Sequence, residues 1–305
     1  MFYISISRLL VILSIMKYSL FYTSSFKNKF PYYLASSLQK RNSIKKSNLN
    51  SIRIRDIQND SWYKETEVDK YINNNQFIKD KKLISISPGG YKGFYVLGIC
   101  KYIKEHYNLE NYIFSGASAG AWNSLLLCFK RDMKEIQEHL VDDSIQNASS
   151  IFDMEQMLKT KLLNKYTIND FDLRRLFIGV TTVNQYTYNT TIFSGFNSLE
   201  DVVNCCIASS HIPMVTGGLT NIYQNFMAFD GGFSKYPYLN ITKPVLHITP
   251  SIWNKNNTKK MKITDYTTLF SKNKFIFIDM VNKGYQDAAE NKDELDKIFA
   301  SNIVE

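Results

Sequence analysis

Residues 83–130 read LISISPGGYKGFYVLGICKYIKEHYNLENYIFSGASAGAWNSLLLCFK. Leu83 to Ser87 alternates apolar residues with Ser, the two-residue period of a strand. Gly89-Gly90-Tyr91-Lys92-Gly93 then forms a turn, and Phe94, Leu97, Cys100, Ile103 and Tyr107 recur at helical spacing. Tyr112 to Ser115 is a second short strand, Gly116 to Gly120 a second turn of small residues, and Ala121 to Lys130 a second helix. Two strand–glycine turn–helix units in tandem predict an α/β fold with a mostly parallel central sheet flanked by helices.

The pattern continues outward. Met133, Ile136 and Leu140 predict a helix, whereas the stretch to about Asn169 is polar and irregular, and is expected to be a surface insertion or lid. Strands are expected at Phe177–Val183, Thr190–Phe193, Met227–Phe229 and Val245–Ile248, with a helix marked by Leu199, Val202, Val203 and Cys206. The tail from Phe275 to Phe299 reads as helical, interrupted at Gly284. One domain over residues 81–305 accounts for these elements, with a motif-bearing core at 83–248, a linker at 56–80 and a separate head at 1–55.

Of the 305 residues, 44% are hydrophobic and 21% charged, enough apolar content for a large core and too much for a disordered chain. The net charge of +9 is unevenly spread: residues 1–55 hold ten Lys and Arg and no acid, leaving 27 bases against 28 acids in the rest. A neutral body argues against nucleic-acid binding. The head, with its short apolar run Leu9–Met16 and its Lys40, Arg41, Lys45, Lys46 cluster, reads as a secretory signal, an organelle transit peptide, an anchor at an anionic lipid surface or a disordered extension. Membrane association or organelle targeting through this head is the expected location, cytoplasmic otherwise. The four cysteines, Cys100, Cys128, Cys205 and Cys206, lack metal or redox spacing and read as core residues.

Chemistry concentrates at three places. Gly116-Ala117-Ser118-Ala119-Gly120 is a G-x-S-x-G pentapeptide between strand and helix, the setting of a nucleophile elbow. Its small residues let a strained turn close, and the helix beyond points free N–H groups at a developing oxyanion. Asp230-Gly231-Gly232 ends an apolar strand with a carboxylate able to take a serine proton when burial raises its basicity. Pro88 to Gly93 can aim backbone N–H groups at one point, as an oxyanion hole or a phosphate cradle, though no P-loop or G-x-G-x-x-G spacing is present. Each of the four histidines, His106, His139, His211 and His247, has a simpler packing role than that of a triad base, with His211 left open.

In this order the three elements resemble the patatin-like phospholipase family, whose members carry a Gly-Gly-Gly-x-Arg/Lys-Gly loop, a G-x-S-x-G nucleophile and an Asp-Gly-Gly or Asp-Gly-Ala acid. Ala208-Ser209-Ser210-His211-Ile212-Pro213 is similar to the Ala-Ser-x-x-x-Pro segment ahead of that acid, which gives His211 a structural reading. The resemblance implies a three-layer fold, Ser118 as nucleophile, Asp230 as base, and an oxyanion hole from the loop of Gly89, Gly90, Lys92 and Gly93 assisted by the Ala119 N–H; Gly116, Gly120, Gly231 and Gly232 complete the motifs. Two departures stand out. Pro88, which has no N–H, replaces the first loop glycine, and Phe233-Ser234-Lys235-Tyr236-Pro237 lacks the family's Asn-x-Pro. The implied activity is hydrolysis of fatty-acyl esters of phospholipid or neutral lipid, without metal or cofactor, in a channel bordered by Phe94, Trp122 and Phe233. Its rivals are a transacylase of the same fold and a lipid-binding protein disabled by Pro88. The oligomeric state is not encoded in these motifs.

Overall fold

The computed structural model describes residues 52–55, 67–184, 187–234, 236–241, 243–253 and 275–300. The expectations for the basic head, apart from residues 52–55, lie outside them.

Eight strands form one sheet: β1 (Ile52–Arg55), β2 (Lys82–Ile86), β3 (Tyr112–Gly116), β4 (Leu176–Asn184), β5 (Thr187–Ser194), β6 (Asn221–Tyr223), β7 (Phe226–Phe229) and β8 (Leu246–Ile248). Its order is β1-β5-β4-β3-β2-β8, with β7 also paired to β4 and β6 to β7. Four consecutive strands, β8, β2, β3 and β4, run parallel, as expected for strand–turn–helix units; β5, β1, β7 and β6 add antiparallel strands beside them. Among the described residues the helices of eight or more residues are α1 (Glu67–Asn74), α2 (Gly93–His106), α3 (Ala119–Leu127), α4 (Met133–Leu140), α5 (Ile151–Lys165), α6 (Leu199–Ser209), α7 (Phe277–Glu290) and α8 (Lys292–Phe299).

Alternation along the strands separates two cores. Ile84, Ile86, Phe114, Ile178 and Phe193 point to the large face, packed with Val96 and Ile99 of α2, Ala121 and Leu125 of α3, and Val202 and Cys206 of α6. Leu83, Ile113, Phe177 and Ile192 point to the other face, under Tyr71 and Ile72 of α1 and Leu239. Helices therefore cover both faces, a three-layer arrangement. All four cysteines are free and buried.

Three expectations are corrected. The domain starts before residue 81: β1 pairs with β5 at the sheet edge, Ile52 opposite Ser194, and belongs to the compact unit Ser51–Glu305. The stretch before Asn169 is mainly the 15-residue helix α5, whose first turn is capped by the Ser150 hydroxyl accepting from the Asp153 N–H at 3.1 Å. Gly284 lies inside α7 and does not interrupt it. A side chain there would meet the Tyr95 carbonyl at 1.9 Å, and one at Gly98 the Val281 carbonyl at 2.0 Å, so this glycine pair lets α7 lie directly on α2. The break comes at Asn291, between α7 and α8.

Candidate active site

The sheet topology itself brings Ser118 and Asp230 together. β3 pairs with the first part of β4, Gly116 opposite Ile178, and β7 pairs with its second part, Phe229 opposite Thr181. β5 occupies the other edge of β4, so β3 and β7 run toward each other along one edge, and the residues following each of them meet in the gap. A side chain at Gly231 would stand 2.6 Å from the Ala117 methyl, which measures how closely the two ends approach.

Ser118 has φ 55° and ψ −128°, a backbone state that L side chains rarely adopt. It is sustained by what surrounds it. The Ser118 N–H donates to the Ser209 hydroxyl oxygen at 2.8 Å, and that hydroxyl donates to the Gly179 carbonyl at 2.7 Å, tying the elbow through α6 to β4. The elbow glycines leave no room for substitution: a side chain at Gly116 would meet the Gly120 carbonyl at 2.1 Å, and one at Gly120 the Ile86 carbonyl at 2.2 Å. Ser118 is the N-cap of α3, which begins at Ala119.

Asp230 is fixed just as closely. Its N–H donates to the His211 carbonyl at 2.7 Å, its carbonyl accepts from the Thr181 hydroxyl at 2.9 Å, and its Oδ1 accepts from the Gly232 N–H at 2.6 Å. The Ser118 hydroxyl lies near enough to the carboxyl to favour its charged form. Both residues are about 5% exposed. Burial pushes the Asp230 carboxyl up to about 6, against the opposing pull of the Ser118 hydroxyl and the Gly232 N–H. A carboxyl so poised ionises near neutral pH and is a competent base for a serine.

The expected glycine loop divides into two parts. The Lys92 N–H donates to the Gly89 carbonyl and the Gly93 N–H to the Gly90 and Tyr91 carbonyls, so these two donors are consumed by the turn, and the Lys92 side chain is exposed. The N–H groups of Gly89, Gly90 and Ala119 have no acceptor among the described residues, and Gly90 and Ala119 border the same cavity as Ser118. Pro88 packs 3.2 Å from where a Gly232 side chain would begin, over the acid turn.

That cavity, about 100 Å³, is lined by Tyr91 and Phe94, by Trp122 and Leu126 of α3, and by Met154 and Leu158 of α5. Phe94 and Trp122 border it as expected; Phe233 does not. Phe277 of α7 stacks on Phe94 at 4.1 Å, so the tail buttresses the cavity wall. No histidine borders it: His106 bonds the Tyr102 carbonyl, His139 the Lys161 carbonyl and His247 the Ser85 hydroxyl, while His211 serves Asp230 through its backbone. Among the described residues no group of His, Cys, Asp and Glu is arranged to hold a metal.

A model of the patatin-like phospholipase family matches residues 84–239. The chain belongs to the patatin-like phospholipase family. The match spans both the elbow and the acid turn, and membership makes the protein a lipid acyl hydrolase by family, with lipids as its substrates. No curated protein matches the chain.

Sequence reasoning did not anticipate Glu155 of α5, which borders the cavity and is 2% exposed. Its one signal is spacing: Ile151, Met154, Glu155 and Leu158 share a helix face. Nor did it give Ser209 a role, although the residue stands in the Ala208–Pro213 segment. Among the described residues no helix is long and apolar enough to cross a membrane.

Proposed function

We propose that this patatin-like protein hydrolyses fatty-acyl esters of phospholipid or neutral lipid through a Ser118–Asp230 dyad. The observation that carries the reading is the close approach of the Ser118 elbow and the acid turn, which puts both buried side chains on one apolar cavity. Asp230 takes the hydroxyl proton as Ser118 Oγ attacks the ester carbonyl carbon. The oxyanion so formed is held by the N–H groups of Gly89, Gly90 and Ala119 and by the N-terminus of α3. Asp230 then passes the proton to the departing alcohol, leaving an acyl-serine. Water repeats the sequence: Asp230 takes its proton, the acid departs, and the hydroxyl of Ser118 is restored.

Pro88 does not disable this chemistry, because the donors that the hole needs follow it. The acyl chain lies along Phe94, Trp122, Met154 and Leu158. The basic head, which meets anionic lipid favourably, holds the enzyme at a lipid surface. The test is turnover of a fluorogenic phospholipid and a p-nitrophenyl ester by the full chain beside Ser118→Ala and Asp230→Asn. Product from the parent with both variants at background supports the dyad. A folded parent inert on both substrates, or undiminished Ser118→Ala, removes it.

A further inference from the structure

Two segments that border the catalytic cavity also hold apolar side chains out in water. Thr216 and Ile151 line the cavity together with Ser118 and Asp230. Their neighbours face outward: Met214 is 73% and Ile222 71% exposed, and Val215, Leu219 and Phe152 are exposed as well. The segments touch, since a side chain at Gly217 would begin 3.5 Å from the Phe152 ring, and Phe152, Gly217 and Ile222 border one shared recess. Five of the ten large apolar side chains exposed among the described residues therefore belong to one patch.

The shape of the loop is set by its own hydrogen bonds. The Thr216 hydroxyl accepts from the Ile212 N–H at 2.8 Å and donates to the Ser210 carbonyl at 3.2 Å, and the Met214 N–H donates to the Gly218 carbonyl at 3.3 Å. Met214 holds φ 66°, which an L side chain disfavours, yet its apolar side chain is left in water. Charge is missing as well. Residues 202–229 contain no Asp, Glu, Lys or Arg, in a chain of which 21% is charged. The one cation bordering the recess, Lys159, is paired with Glu200, and Asp153, next to Phe152, accepts from the Ser149 hydroxyl. Exposed apolar patches of this kind mark surfaces that meet a protein or a membrane.

We propose that residues 212–222, with Phe152, form a docking surface that enters the surface of a zwitterionic phospholipid membrane, independently of the basic head. The inference rests on the lipid-ester reading above, which needs a place where a lipid leaves its membrane for Ser118. Continuity selects this place: Thr216, in the middle of the loop, already borders the cavity that Ser118 and Asp230 share. Charge selects the membrane. The head favours anionic lipid, whereas an uncharged loop has no ion to attract such lipid and none to desolvate as Met214, Leu219 and Ile222 pass into hydrocarbon.

The experiment floats the full chain with dioleoylphosphatidylcholine vesicles, in a Ser118→Ala background that spares the lipid and at high salt, which screens the head. The background chain is expected to float. Combining Met214→Asn, which suits the positive φ, with Leu219→Ser and Ile222→Ser is expected to weaken partition by about thirtyfold or more. Val245→Ser, at an exposed apolar residue before β8 and so at the opposite end of the parallel strands, is expected to change nothing. With Ser118 restored, the combined variant should hydrolyse dissolved p-nitrophenyl butyrate within about twofold of the parent, while turnover of vesicle phosphatidylcholine falls with partition. If the combined variant melts early, Phe152→Ser alone decides, with a loss of partition of about threefold or more expected. A chain that does not float, or variants that float as it does, overturns the proposal and leaves the hydrolase reading in place. So does a dimer in sedimentation that the combined variant splits without any change in flotation, which gives the patch to a second copy of the chain. A parent inert on both esters whose Ser118→Ala form still floats through this patch removes the hydrolase reading and keeps the docking surface.

Discussion

The two walls of the cavity are built on different principles. On the Ser118–Asp230 wall the functional groups hang from the ends of β3 and β7, and the backbone around them is pinned by Ser209, Thr181 and Gly232. On the α5 wall the helix contributes only side chains; it is anchored in the core by Leu162 and carries surface pairs such as Lys159 with Glu200 and Lys161 with Asp142. Exposed pairs of this kind contribute little. Backbone geometry thus carries the chemistry, while α5 carries the shape of what is bound. Substitutions on the two walls should fail in different ways, abruptly on the first and gradually on the second.

The sharpest case is Gly120→Ala. The new methyl would stand 2.2 Å from the Ile86 carbonyl and 2.9 Å from the Ser87 carbonyl, both backbone atoms that cannot rotate aside. We expect a stability loss of about 3 kcal/mol or more and a fall in kcat/KM of at least roughly a thousandfold, because the elbow that aims Ser118 must open. Thermal melting and ester turnover of the purified variant measure both. A parent-like melting temperature with parent-like activity would show that the elbow yields, and the contrast between the walls would collapse.

Asp230 is the next test, through pH. Its carboxyl sits at about 6 in the fold, above the ordinary 3.8, so the folded chain binds this proton more tightly than the unfolded one. Ionisation of Asp230 therefore costs stability above pH 6, about 3 kcal/mol, and the cost is relieved as pH falls from 6 toward 4. Activity runs the other way, since the base must be ionised: kcat/KM should drop about tenfold per pH unit below 6. Asp230→Asn should melt higher than the parent at pH 8 and lose that advantage near pH 4. A variant that is less stable than the parent at pH 8 would mean that the buried carboxylate is compensated by contacts other than Ser118 and Gly232.

The same division explains what the sequence revealed. Strand–turn–helix units and the G-x-S-x-G and Asp-Gly-Gly turns are local: residue size and period write them into a few neighbours, and β2, β3, α2 and α3 appear within three residues of where the pattern puts them. The elbow's serine and its acid were legible for that reason. Helix α5 was not, because its cavity face mixes Met154 and Leu158 with Glu155, and one buried acid hides an apolar stripe. Strand β1 was hidden in a basic head whose charge dominates its reading. Gly284 was misread because a glycine that breaks a helix and one that lets two helices touch look the same until the partner, here Gly98, is known.

Ser209→Ala probes the support of the elbow without touching either dyad residue. Removing the hydroxyl leaves the Ser118 N–H and the Gly179 carbonyl unpaired in a buried site, at a cost of about 1–3 kcal/mol. Because Ser118 holds a strained backbone state against this bond, the loss should appear in kcat, by roughly tenfold, with KM little changed. Equal loss in KM would indicate that Ser209 shapes the binding cavity instead.

Met154→Ala, on the α5 wall, should have the smallest effect. The side chain borders the cavity and is partly exposed, so trimming it widens the space for the acyl chain and leaves little of the void that a fully buried site would keep. We expect a change in melting temperature of only a degree or two, with the preferred acyl length moving upward by a few-fold in relative kcat/KM across p-nitrophenyl butyrate, octanoate and laurate. The absolute rate on the best ester should stay within a few-fold of the parent, since no group at Ser118 or Asp230 has moved. A collapse of activity on every ester would mean that α5 also braces the dyad. An unchanged length profile would mean that the chain leaves the cavity before reaching Met154.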